Sequence, residues 1–318
     1  MRRLKISLAA LAAIMLGLFA WTYFAPERAT ALLLELERNR SGLSRKQIEL
    51  PGGLRYVYLE GGQGEPLLLL HGFGADKDNF TRVARELTPH YRVIIPDLLG
   101  FGESSHPAQA DYTALAQANR LHVLAQALGI GRLHLGGSSM GGQIALIYAS
   151  AYPSEVGSLW LLAPAGIWSA PPSELAKHIL SSGKNHLIAR NEQEFAQLFE
   201  FVMTDPPYIP RFVQNVMAQE NIVNYDLHRR IFEQTKNDNT LEQRVAGLST
   251  PSLIVWGEQD RALHVGSAAV LHKLLPRSQV ITLPGVGHLP MIERDGQVAA
   301  DYLAFRAGLV LQGSRRRS

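Results

Sequence analysis

The chain has 318 residues, 46% hydrophobic and 19% charged, which are the proportions of a globular protein and exclude a disordered or collagen-like one. Of its 31 basic residues, six sit at the extreme ends (Arg2, Arg3, Lys5, Arg315, Arg316 and Arg317), so the body carries 25 basic against 28 acidic residues and lacks the excess a nucleic-acid partner requires. With no cysteine there is no disulfide, no thiol nucleophile and no Cys-ligated zinc.

The N-terminus reads MRRLK, then ISLAALAAIMLGLFAWTYFA, twenty uncharged residues from Ile6 to Ala25. That length crosses a bilayer, and Trp21 and Tyr23 fall where an interfacial belt would place them. A cleaved signal peptide usually has a shorter apolar region of ~7 to 15 residues, so an uncleaved transmembrane anchor over residues 1–25 is expected. Basic residues before the span place the N-terminus in the cytoplasm and the body across the membrane, which in a bacterium is the inner membrane and the periplasm.

After Pro26, Ala29, Leu32, Leu33, Leu36 and Leu43 share one helical face while Glu35, Arg38 and Arg45 lie elsewhere, predicting a juxtamembrane amphipathic helix over residues 26–46. Such a helix can lie on the membrane surface, continue the anchor, pair with its copy in a homodimer, or pack on its own domain.

Apolar runs bounded by turn residues then recur at Arg55–Leu59, Pro66–Leu70, Arg92–Ile95, Leu133–Leu135, Ser158–Leu162, Ser252–Trp256 and Gln279–Leu283. Short runs without alternation mark strands buried on both faces. Helical patterns such as Tyr112–Leu128 and Gln143–Tyr152 separate them, so the fold class is α/β, a mostly parallel central sheet with helices on both faces. The first run, between Pro51-Gly52-Gly53 and Gly61-Gly62, reads as an antiparallel starting strand. From 167 to 247 no strand-like run occurs, and an interval that long predicts an inserted helical cap. The core then spans 47–166 and 248–310, followed by a basic tail over 311–318.

The stretch GGSSMGGQ, residues 136 to 143, follows one of these runs. A strand-to-helix turn strains its central residue and tolerates only small residues two positions either side. Ser138 has Gly136 and Met140 at those positions, which fails; Ser139 has Gly137 and Gly141, completing G-x-S-x-G. Ser139 is therefore the candidate nucleophile, and Gly142 would let the helix approach its strand.

A serine hydroxyl needs a base, and the base needs a partner that fixes its tautomer. In this architecture the chain order is Ser, acid, His, the last two following strand ends. SLIVW is followed by Gly257-Glu258-Gln259-Asp260 and QVITL by Pro284-Gly285-Val286-Gly287-His288, which selects Asp260 and His288. Glu258 sits too close to its strand's end, and Asp97 suits a structural loop contact. His71 is placed to brace the loop after PLLLL, and His264 lies before the next helix instead of after the following strand. For the oxyanion, backbone N–H donors are expected from Met140 and from Phe73 in His71-Gly72-Phe73-Gly74. GFGADK lacks the third glycine of G-x-G-x-x-G and the end of a P-loop, and no metal-ligand motif occurs, so no cofactor is expected.

HGFGADKDNF, PDLLGFGESS, GGSSMGGQIALIYASAYPSEV, LLAPAGI, WGEQD and GVGHLP together resemble the α/β-hydrolase superfamily, over roughly Leu54 to Ala307 and most weakly in the cap. Within it the chain is similar to bacterial lipases and esterases related to membrane-anchored monoacylglycerol lipases and phospholipases. The resemblance implies an acyl-ester hydrolase with a lipid or fatty-acyl ester substrate and the membrane bilayer as partner. It leaves a carbon-carbon bond hydrolase of the same fold, or a non-catalytic lipid-binding protein, as alternatives. Dehalogenase and epoxide-hydrolase chemistry would need a carboxylate where Ser139 stands.

Overall fold

The computed structural model describes residues 15 to 315 apart from residue 18. Half of the expected span Ile6 to Ala25 (residues 6–14 and 18), and the last three residues of the basic tail, lie outside the described residues. Among the described residues no helix is long and apolar enough to cross a membrane.

Helix α1 (Pro26–Arg40) opens on a proline, whose missing N–H has no helical partner there in any case, and ends before Gly42, which turns the chain with a φ of 66°. The helix expected over 26–46 therefore stops at Arg40. Leu43 and Arg45 belong instead to strand β1 (Leu43–Leu50), which pairs antiparallel with β2 (Leu54–Gly61). β1 shows no continuous apolar run because it is an edge strand: Arg45, Lys46 and Glu49 are exposed, and of its apolar residues only Leu43 and Leu50 are buried. α1 packs on its own domain through Ala29 and Thr30, and Arg38 donates from Nε to Asp78 Oδ1 at 2.7 Å. Leu32, Leu33 and Leu36 remain exposed.

The other expected runs form β3 (Glu65–Leu70), β4 (Tyr91–Pro96), β5 (Leu133–Ser138), β6 (Val156–Leu162), β7 (Ser252–Gly257) and β8 (Ser278–Leu283). The eight strands lie in the order β1-β2-β4-β3-β5-β6-β7-β8, with β2 antiparallel to both neighbours and the remaining pairs parallel. Helices α2 (Thr81–Leu87), α3 (Ala114–Ala127) and α4 (Met140–Ala151) join the first strands. Five more, α5 (Glu174–Ser182), α6 (Glu192–Val202), α7 (Arg211–Val223), α8 (Tyr225–Lys236) and α9 (Leu241–Val245), lie between β6 and β7. The chain closes with α10 (Ser267–Leu274), α11 (Pro290–Glu293) and α12 (Asp295–Arg315).

Leu67 and Leu69 of β3, Trp160 and Leu162 of β6, and Leu253 and Val255 of β7 pack on one face with Val83 of α2 and Val298 and Tyr302 of α12. Their alternates Leu68, Leu70, Leu159, Leu161, Ile254 and Trp256 pack on the other with Leu121 of α3, Leu146 of α4 and Leu271 of α10. Because helices cover both faces, both sets must be apolar, which erases alternation and leaves the continuous runs seen in the sequence. In the insert, Leu175, Phe201, Val202 and Met203 gather with Ala262, and Phe195 with Ala189 and Ala218. α9 differs, since Leu241 and Val245 are fully buried in the main core beside α4.

Candidate active site

β5 ends at Ser138 and α4 begins at Met140, so Ser139 alone makes the turn, with φ 54° and ψ −119°, a conformation L residues avoid. Its N–H donates to Leu162 O at 3.0 Å, and its carbonyl accepts from Ala165 N at 2.9 Å and Gln143 N at 3.1 Å, so three backbone bonds hold the strain. The flanking glycines are demanded by contact. A Cβ on Gly137 would lie 2.3 Å from Gly141 O, and one on Gly141 would lie 2.2 Å from Leu70 O. Gly142 lets α4 approach Pro164 and the end of β5, since a Cβ there would come within 2.7 Å of Pro164. Ser138 is fully buried in the strand.

Asp260 lies beyond β7 and His288 beyond β8, and the two meet with His288 Nδ1 2.8 Å from Asp260 Oδ2. The carboxylate also accepts from Trp256 Nε1 at 3.0 Å, and its other oxygen accepts from the backbone N–H groups of Ala262 and Leu263, each at 2.9 Å. An acceptor-only carboxylate requires the proton on Nδ1, which leaves Nε2 of His288 as the basic nitrogen. Trp256 is a member of this arrangement that the sequence presents only as the last large residue of a strand.

The loop after β3 sits against the turn: a Cβ on Gly72 would lie 3.3 Å from that of Ser139. The Phe73 ring packs edge-on against Phe101 and Phe232, with centroids 5.7 and 5.4 Å away. As the first residue of α4, Met140 carries one of the N–H groups that a helix start leaves without an intrahelical acceptor. Beneath the loop, His71 Nε2 accepts from Leu98 N at 2.9 Å and Nδ1 donates to Gly72 O at 2.8 Å. Burial pushes the His71 pKa down to about 4, keeping the ring neutral as this pattern requires. Asp97 accepts from Lys77 N at 2.7 Å, Lys77 Nζ at 2.9 Å and Glu103 N at 2.8 Å, a buried brace for the same loop. The remaining rivals lie apart from the turn: exposed Glu258 accepts from Thr282 Oγ1 at 3.1 Å, and His264 Nδ1 accepts from Gly266 N at 3.0 Å.

Phe73, Ser139, Met140 and His288 line one cavity of about 410 Å³, whose other walls are mostly apolar and include Ile167, Leu175, Ile179 and Leu263. A second cavity, of about 240 Å³, also reaches Ser139 and His288 and is walled by Phe195, Phe199 and Met217 of the insert and Leu34 of α1. Among the described residues no group of three or more His, Asp or Glu is placed to hold a metal ion.

The family described as alpha/beta hydrolase fold matches residues 65–295. Lipase 1 of Psychrobacter immobilis is 46% identical over 289 residues, covering 89% of this chain and 90% of its own. Human monoacylglycerol lipase ABHD6 is 28% identical over 278 residues, covering 80% and 82%. Among solved structures, a membrane phospholipase A described as a bacterial virulence factor superposes with a TM-score of 0.87 at 40% identity, covering 97% of this chain and 99% of that one. By the match across both halves of its sheet and by this likeness over nearly its whole length, the chain belongs to the α/β hydrolase fold family.

Proposed function

We propose that the chain is a serine hydrolase of carboxylic esters, of the lipase, phospholipase A, lysophospholipase or monoacylglycerol lipase type, with Ser139, His288 and Asp260 as its triad. One observation carries this reading: Ser139 and His288 sit together on the wall of a largely apolar cavity roofed by the helical insert. Ser139 Oγ attacks the ester carbonyl while His288 Nε2 takes its proton and returns it to the leaving alcohol. Asp260, buried and held by Trp256 and two backbone N–H groups, keeps the His288 tautomer and stabilises the imidazolium that forms. The N–H groups of Phe73 and Met140 hold the oxyanion. Water then hydrolyses the acyl-enzyme by the reverse proton path. Apolar walls suit a fatty acyl chain, and the relatives named lipase, monoacylglycerol lipase and membrane phospholipase A support a lipid ester.

The same reading places the protein on a bacterial inner membrane by its span at residues 6–25, with the hydrolase body in the periplasm and the insert at 167–247 as its cap. Exposed Phe19, Tyr23 and Phe24, followed by exposed Leu32, Leu33 and Leu36 on α1, support an apolar surface continuing from the span, available to lipid or to α1 of a second copy in a homodimer. The substrate class is tested by hydrolysis in detergent of short p-nitrophenyl esters, monoacylglycerols, lysophospholipids and diacyl phospholipids. The proposal expects long-chain lipid esters to give the higher kcat/KM, and preference for acetyl esters would remove lipids as the substrate.

A further inference from the structure

The triad fixes the imidazole of His288 but says nothing of what fixes its backbone. The Gly287-His288 segment makes its backbone bonds to the insert and to one buried side chain. His288 N–H donates to Val202 O, the last residue of α6, at 2.7 Å. Gly287 N–H donates to the Glu293 carboxylate at 3.0 and 3.1 Å, and that carboxylate also accepts from the backbone N–H groups of Thr204 at 2.8 Å and Asp205 at 2.9 Å. Glu293 is 7% exposed, so these bonds are sheltered from water and charge-assisted. The two backbones touch as well: a Cβ on Gly287 would lie 2.8 Å from Val202 O and 2.9 Å from Thr204 N. Outside, Arg294 Nη1 reaches Asp205 Oδ2 at 2.8 Å and closes the same clasp.

Resting on the triad reading above, we propose that Glu293 is a positioning residue that fixes His288 against Ser139 by clasping the His288 loop to the 202–205 segment of the insert. Asp260 holds the ring, while Val202 O of the insert and the Glu293 carboxylate hold the peptide. Phe199 and Val202 of α6 wall the second cavity that reaches Ser139, so an element lining that cavity also carries the bond to the His288 backbone. A buried carboxylate receiving three backbone N–H groups tolerates no neutral replacement without releasing at least one of them.

The test is turnover of a short p-nitrophenyl ester per active site, with sites counted by fluorophosphonate titration, in the full-length wild type, Glu293→Gln and Glu293→Asp. We expect Glu293→Gln to lose about 10- to 100-fold in kcat per titrated site with KM within about twofold, as displacement of a catalytic base does. Glu293→Asp, which keeps the charge and the acceptor pair, is expected to recover at least about threefold of that loss. A purely structural role would reduce the titratable fraction and leave turnover per site unchanged. Turnover per site in Glu293→Gln within about twofold of wild type, or no gain in Glu293→Asp, overturns the proposal. Should Glu293→Gln not fold, exposed Asp205→Ala loosens the same segment, and it must lower kcat per site by about two- to fivefold for the proposal to stand. Wild-type protein that fails to label at Ser139 would sink the triad reading instead, a result separable from the rest.

Discussion

His288 Nδ1 and Asp260 Oδ2 lie 2.8 Å apart, with the Asp260 side chain fully buried and that of His288 4% exposed. Every other acceptor site of the carboxylate that the fold reaches is met by Trp256 Nε1 or a backbone N–H, so the acid is built to remain an acceptor. Asp260→Asn would present an amide to those donors and free His288 to adopt the wrong tautomer. We expect kcat to fall on the order of 10³- to 10⁴-fold with the circular dichroism spectrum unchanged, and less than a tenfold loss would remove Asp260 from the triad.

Gly141→Ala places a methyl 2.2 Å from Leu70 O and 2.5 Å from His71 O, both backbone atoms where β3 leads into the Gly72-Phe73 loop. Neither can move without disturbing β3, so the change should cost about 3 kcal/mol or more and abolish labelling of Ser139. Thermal unfolding checks the first effect and a fluorophosphonate probe the second. Wild-type stability and labelling would mean the turn is looser than its contacts indicate.

Ile179 of α5 lines the larger cavity, which is about 410 Å³ and mostly apolar. Ile179→Trp fills part of it, and kcat/KM should drop at least about tenfold for long acyl chains while short p-nitrophenyl esters lose less than about threefold. Equal losses for both would show that the acyl chain runs elsewhere, the second cavity being the next place to look.

The His71 pKa in the fold is about 4 because of burial, below the ordinary 6.5. The unfolded chain therefore takes up a proton first as pH falls below 6.5, and stability contributed by His71 is lost between pH 6.5 and about 4, on the order of 3 kcal/mol at the end of that window. His134, lowered to about 4 by burial and then by Arg306, acts with the same sign. Asp76, raised to about 7 by burial and by Asp78, acts with the opposite sign, so a difference between proteins isolates His71. Urea denaturation at pH 7.5 and 4.5 should show a smaller loss on acidification in His71→Asn than in the wild type. Equal losses would show that His71 is not held neutral by the fold.

Much of this was legible in the chain, and the exceptions have physical causes. The seven apolar runs became β2 to β8, and for β3 to β7, which are covered on both faces, local composition alone carries the signal. The frame at Ser139 was fixed by the glycines at 137 and 141, whose need is local and steric. Strand β1 was not legible: its pairing to β2 is made by the main chain, and its polar side chains face solvent, so its Leu43 passed for the end of the amphipathic helix. Glu293 was not legible either. Its partners Thr204 and Asp205 lie 89 and 88 residues away, and its bonds are to backbone N–H groups that no side-chain pattern records.

Labelling by a fluorophosphonate probe, with the modified residue identified by mass spectrometry and hydrolysis of a long-chain monoacylglycerol in detergent followed in parallel, tests the role of Ser139 most directly. Wild-type protein should be labelled at Ser139 alone and lose hydrolysis as labelling proceeds, and Ser139→Ala should neither label nor turn over. Turnover retained in Ser139→Ala, or label found on another residue, would contradict the assignment of the nucleophile and with it the proposed triad.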